Sequence, residues 1–131
     1  MFSRQKVELE HGVLKSIKES IMANLSQQQT ADAIRQVMDC YRLCLQCAAD
    51  CIDRGEGKLA LCTKLCEICA DSCALCVRCI TSAVVQTKQV CVTCADICDA
   101  CAAECDKGQG IMKECADACR ACAATCRQMA A

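Results

Sequence analysis

Cysteines recur every three or four residues along most of this chain, and that interval is the signature of one secondary structure. They stand at Cys40, Cys44, Cys47 and Cys51; at Cys62, Cys66, Cys69, Cys73, Cys76 and Cys79; at Cys91, Cys94, Cys98, Cys101 and Cys105; and at Cys115, Cys119, Cys122 and Cys126. An α-helix turns once in about 3.6 residues, so each run lays its thiols in a single stripe. Such a stripe ordinarily carries leucine and faces a core. Four stripes turned inward predict a tube lined with sulfur.

The remaining residues agree with an all-α fold. The 131-residue chain has no proline or tryptophan, one Phe, one Tyr and five glycines. A β-sandwich would need aromatic and β-branched runs with regular turn signals, and these are missing. We expect an antiparallel up-down four-helix bundle with an additional N-terminal helix. The bundle helices are predicted over about 31–53, 58–83, 88–106 and 111–128. Gly55 and Gly57 suit the end of the first, and Gly108 and Gly110 the end of the third. The boundary near 83–88 rests on the interrupted stripe between Cys79 and Cys91. Ahead of the bundle, Val7, Leu14, Ile17, Ile21 and Leu25 follow a helical stripe. They predict an amphipathic helix over about 4–25, then a connector at Ser26–Thr30 with Thr30 as the next N-cap. Two domains follow: 1–30, the N-terminal helix and connector, and 31–131, the cysteine-lined bundle.

Charge and hydropathy narrow the function. The formal net charge of −1 gives no bias toward nucleic acid or anionic membrane. No apolar run is long enough for a transmembrane span. The opening residues mix acids and bases without the apolar stretch of a secretory signal, which predicts a cytoplasmic protein. There thiols stay reduced, and dense cysteine points to metal rather than disulfides. Helical periodicity, an odd total and poor intrahelical S–S geometry also argue against a disulfide scaffold.

Thiols four residues apart face the same way, so each CxxxC pair can converge on one ion. Eight such pairs can be drawn without reuse, leaving Cys76, Cys79 and Cys91 near one end. Soft thiolates favour Cu(I), Zn(II) or iron–sulfur clusters. Zinc needs four ligands, hence a cross-helix match in every layer. Cu(I) accepts two or three. One Cu(I) per thiolate is also neutral, whereas zinc bound by four thiolates leaves two buried negative charges. The expected function is therefore Cu(I) storage, roughly one ion per cysteine, without catalysis. The alternatives are a metallothionein-like zinc or cadmium buffer and a thiol or iron–sulfur redox protein. CxxxCxxC at 40–47 and 94–101 matches the cluster motif of radical enzymes using S-adenosylmethionine, but repetition on helices in so short a chain argues against that reading. CxxC pairs such as Cys44/Cys47 match thioredoxin-like redox sites only where a strand precedes them, and the sequence shows no strand. His11, the single histidine, lies in the cysteine-free segment and reads as a surface residue. Met38 and Met129 are expected at one end of the tube and Met112 at the other. Ile34, Val37, Tyr41, Val92 and Ile97, with Leu61, Leu65, Ile68 and Leu75, read as a second apolar surface.

The run Cys94-Ala-Asp-Ile-Cys-Asp-Ala-Cys-Ala-Ala-Glu-Cys105 is followed by Cys115-Ala-Asp-Ala-Cys-Arg-Ala-Cys-Ala-Ala-Thr-Cys126. Together they resemble the bacterial copper storage proteins, over about 40–131. The resemblance implies a four-helix bundle filled with Cu(I), a homo-oligomer of such bundles (a tetramer), and a cytosolic form where no export signal is present. Two departures stand out. The loop Asp106–Met112 carries a methionine where cytosolic members often have histidines, and Asp53–Lys58 lacks the methionines frequent in exported members.

Overall fold

The computed structural model describes the backbone of residues 2–131, and the side chains of 8, 10–19, 21 and 26–131. Four α-helices follow one another: α1 (Phe2–Arg54), α2 (Ala60–Ser82), α3 (Thr87–Cys105) and α4 (Ile111–Ala130). A single 3₁₀ turn, Gly57–Leu59, precedes α2. No strand occurs among the described residues. The chain divides into two compact units, Met1–Asp32 and Ala33–Ala131.

The expected connector at Ser26–Thr30 is instead helical, and α1 runs through it without a break. Nothing in Ser-Gln-Gln-Gln-Thr forbids this, because the segment holds neither Gly nor Pro and glutamine is a good helix former. Thr30 is accordingly not an N-cap. Its hydroxyl donates back to the Ser26 carbonyl at 2.9 Å, and the Gln28 amide reaches Asp32 one turn on at 3.0 Å. In the N-terminal unit Leu14, Ile17 and Ile21 are exposed, as are Val13 and His11. The Val7 and Leu25 side chains, the expected ends of that stripe, lie outside those described.

Sulfur contacts give the bundle topology. As the α2 partner advances through Cys62, Cys66, Cys69 and Cys76, the α3 partner retreats through Cys105, Cys101, Cys98 and Cys91, at 3.5–3.7 Å. These helices are antiparallel in unbroken register. Between α1 and α4 the same reversal pairs Cys40 with Cys119 and Cys44 with Cys115, both at 3.7 Å. Diagonal helices run parallel: Cys69, Cys73 and Cys76 of α2 meet Cys119, Cys122 and Cys126 of α4 at 3.8–4.0 Å. This is the expected up-down-up-down order.

The turns follow from their residues. Gly55 takes a left-handed φ of 64° and closes α1 through its N–H to the Cys51 carbonyl. The α2–α3 turn has no glycine, and Ala83 adopts φ 52° there, its N–H bonding the Cys79 carbonyl at 2.9 Å. The Thr87 hydroxyl also donates to that carbonyl, at 3.0 Å. On α3 and α4, Ala95, Ala102, Ala116 and Ala123 recur at intervals of seven and are buried. Such small residues let two helices approach closely. Val37 is fully buried in the core rather than on the second apolar surface, because it stands one turn ahead of Cys40 on the same face. Leu61, Ile68, Leu75 and Val92 do face outward, while Ile34, Tyr41, Leu65 and Ile97 are half-buried against the core.

A candidate metal centre of nineteen thiols

Every cysteine singled out from the sequence is buried, and every one is a free thiol. Cys79, at 8% exposure, is the most accessible. The helical stripes bring the thiols to one axis because steps of three and four residues keep them on one face of each helix. No polar or charged residue is buried among those described, so the interior is sulfur and hydrocarbon alone.

The thiols gather into groups of four with all sulfurs within 4.8 Å of one another. Cys47, Cys62, Cys66 and Cys105 form one; Cys66, Cys101, Cys105 and Cys115 the next. Then come Cys44, Cys101, Cys115 and Cys119; Cys40, Cys44, Cys69 and Cys119; and Cys40, Cys73, Cys98 and Cys122, the last with one sulfur from each helix. Successive groups share members, so the sulfurs form a continuous chain along the axis. Toward the far end Cys76 joins Cys91 at 3.5 Å and Cys126 at 3.8 Å. Cys79 also lies there, and Cys51 is at the opposite end.

The spacing suits soft metal ions. Taking about 2.3 Å for a metal–sulfur bond, three sulfurs around one ion sit about 4.0 Å apart and four about 3.8 Å. The observed cross-helix contacts of 3.5–4.0 Å already match. Among the eight in-helix pairs, five make sulfur contacts at 3.9–4.0 Å: Cys40/Cys44, Cys62/Cys66, Cys101/Cys105, Cys115/Cys119 and Cys122/Cys126. The shortest contacts cross between helices, so the natural unit is a cross-helix group rather than a CxxxC pair. The cross-helix matching that zinc would require is thus present, and the choice of metal rests on charge.

Burial disfavours the thiolate in the metal-free tube. It pushes the Cys62 thiol up to about 12 and raises Cys51 and Cys91 as well. A metal ion must therefore displace protons to bind.

Apolar side chains close the ends. Leu59 and Met112 are buried at the α3–α4 loop end, and Val37, Ile80 and Ala130 at the other. Met112 lies where expected, and the Arg54 guanidinium donates to its Sδ at 3.8 Å. Gly108 lies against it, and a Cβ there would push the flexible Met112 thioether aside. A chamber of about 310 Å³ at this end is walled by Arg54, Lys58, Glu104 and Lys107, with Cys62 and Met112 behind them. Met38 is exposed and Met129 half-buried. The sequence did not mark Leu59 or Ile80 as plugs. Their one signal is that each adjoins the first or last thiol of α2.

The copper storage protein family matches residues 26–131. Metal-free copper storage protein 3 from Bacillus subtilis is similar at 39% identity and a TM-score of 0.71, over 76% of this chain and 96% of that one. The Cu(I)-bound copper storage protein BsCsp3 is similar at 37% identity and a TM-score of 0.73, over 79% and 99%. A protein from Nitrosospira multiformis is similar at 36% identity and a TM-score of 0.73, over 79% and 96%. No curated protein matches. A cysteine tube of this register, matched over most of its length by one family, leaves a single assignment: this chain belongs to the copper storage proteins.

Proposed function

We propose that all nineteen cysteines ligate Cu(I) and that the tube holds roughly one ion per cysteine, a charge-balance estimate. The observation that carries this is an interior without any buried charged side chain among the described residues. Such an interior stays neutral only when each thiolate is matched by one positive charge. A monovalent soft cation with bridging sulfurs meets that condition. The Cu(I) in a relative 37% identical to this chain supports the same choice. The function is storage without catalysis.

Anaerobic titration with Cu(I) against a competing chelator tests it. Binding should saturate near the cysteine count. The groups of four matched sulfurs favour zinc as the second reading, and saturation at about one zinc per four cysteines, with no further uptake of Cu(I), would establish that instead.

Three further assignments belong to this reading. Residues 31–131 carry the store and 1–30 stand apart from it, a division supported by relatives that account for 79% of this chain or less. The protein is a cytoplasmic homotetramer. Leu61 and Ile68 support oligomerisation, two outward apolar residues seven apart on α2, each 51% exposed. Replacing both by glutamate should give monomers in sedimentation. The protein works away from membranes, and no helix among the described residues is long and apolar enough to cross one.

A further inference from the structure

The side wall of the bundle carries a groove toward the α2–α3 turn. Between α2 and α3 there is a cavity of about 280 Å³, lined by Ser72, Leu75, Gln89, Val90, Thr93 and Cys94. None of these residues is charged, in contrast to the basic and acidic walls of the chamber at the α3–α4 loop end. Cys94 itself is fully buried. The half-buried Ser72 lies against it, its hydroxyl donating to the Cys69 carbonyl at 2.8 Å and approaching Cys94 Sγ at 3.5 Å. Among the described residues, the other hydrogen-bond contacts of the core cysteine sulfurs run to other sulfurs. At Cys94 alone among them the metal-binding surface touches a hydroxyl that also faces a cavity.

We propose that this groove is a lateral port, where Cu(I) passes between Cys94 and a small uncharged thiol. The proposal rests on the ligand role assigned to Cys94 above. A cavity of this size has the volume of roughly nine waters, enough for a thiol of a few heavy atoms. Its walls, part apolar and part hydroxyl or amide, favour a neutral molecule. Turning the Ser72 side chain about one bond uncovers the sulfur, a motion of picoseconds to nanoseconds when unhindered. In unloading, a copper–sulfur bond to the incoming thiol forms as the bond to Cys94 breaks. The proton of the incoming thiol ends on the Cys94 thiolate. Copper stays Cu(I), and total charge is unchanged. The Ser72 hydroxyl donates to the thiolate as it is released. Cys94 is fully buried between Cys91 and Cys98 in the α3 thiol stripe, so it connects the groove to the axial sulfur chain.

Brief alkylation of the metal-free full-length protein with iodoacetamide, read by peptide mass spectrometry, tests the port. Cys94 should be modified about fivefold faster than Cys91 and Cys98, its neighbours in the same stripe, because access limits the labelling of thiols this deeply buried and the groove gives the reagent a path to Cys94. Modification of Cys94 no faster than these two overturns the proposal. Ser72→Leu should remove that lead, and so should Thr93→Leu from the opposite wall. In either variant the helical circular dichroism and the labelling of Cys91 and Cys98 should stay as in the wild type. An undiminished lead in a folded variant also overturns it. On the Cu(I)-loaded protein, 2-mercaptoethanol should speed copper transfer to a chelator several-fold more than a sulfonated thiol of the same length, and equal effects would count against a neutral port. Failure of the storage reading is separately visible, as absent Cu(I) uptake in the titration while the Cys94 lead persists.

Discussion

A buried thiol is a weak acid made weaker, and this sets how the empty protein responds to pH. Cys62, pushed up to about 12, keeps its proton in the folded state while the unfolded chain loses it near the ordinary value of 9.0. Its contribution to stability is complete below pH 9.0 and is lost as pH rises toward about 12. Cys51 and Cys91 shift in the same direction. Chemical denaturation of the metal-free protein should show falling stability from about pH 9 upward, and the copper-loaded protein a much flatter profile. Two thiols near the middle of the tube give a second prediction. The double substitution Cys98→Ser, Cys101→Ser should lower Cu(I) capacity by about two to four ions, since a bridging thiolate can serve more than one ion, and leave the circular dichroism helical. Loss of all copper uptake would contradict a store of many similar sites. The direction of every cysteine is legible from spacing alone, because nothing but a helix places residues three and four apart on one side. Val37 turns inward against expectation because it stands three residues ahead of Cys40, in line with the thiol stripe, a spacing the sequence already contains. Ser72 carries no signal at all in the sequence; its importance comes from where α2 and α3 part.

At the level of elements, the four bundle helices agree with expectation to within a residue or two at most boundaries, because three kinds of signal coincide there. Thiol stripes mark the bodies of the helices, and glycines mark two of the turns. An interrupted stripe marks the third. The N-terminal region lacks such agreement. Ser26–Thr30 departs from the apolar stripe and so reads as a connector, yet a polar stretch without Gly or Pro costs a helix little. The α2–α3 turn offers a direct test of local strain. Ala83 sits in the left-handed region that glycine occupies freely. Ala83→Gly should stabilise the metal-free protein by about 0.5–1 kcal/mol, measured by denaturant unfolding.

For the whole molecule, the weak point of the empty bundle is its core. Cysteine is a small hydrophobe that contributes less on burial than leucine does, about 1.5–3 kcal/mol for the larger side chain. Surface pairs such as Arg127 with Asp99 at 2.5 Å and Asp96 at 3.4 Å add little, being exposed to water. The folded tube holds its thiols already converged and so binds copper more tightly than the dispersed chain does, and loading draws the equilibrium toward the native state. Full loading should raise the thermal midpoint by more than about 10 °C, followed by circular dichroism without oxygen, and chelation should reverse the rise.

The overlap between neighbouring sulfur groups carries one more implication. Cys66 and Cys105 belong to two groups at once, as do Cys101 and Cys115, Cys44 and Cys119, and Cys40. An ion that settles early can claim four donors; a later arrival must take some of them away. Sparse occupancy and saturation are therefore different coordination chemistries in one sleeve. The first ions in should be the hardest to extract, and spectra recorded during uptake should change character rather than merely grow.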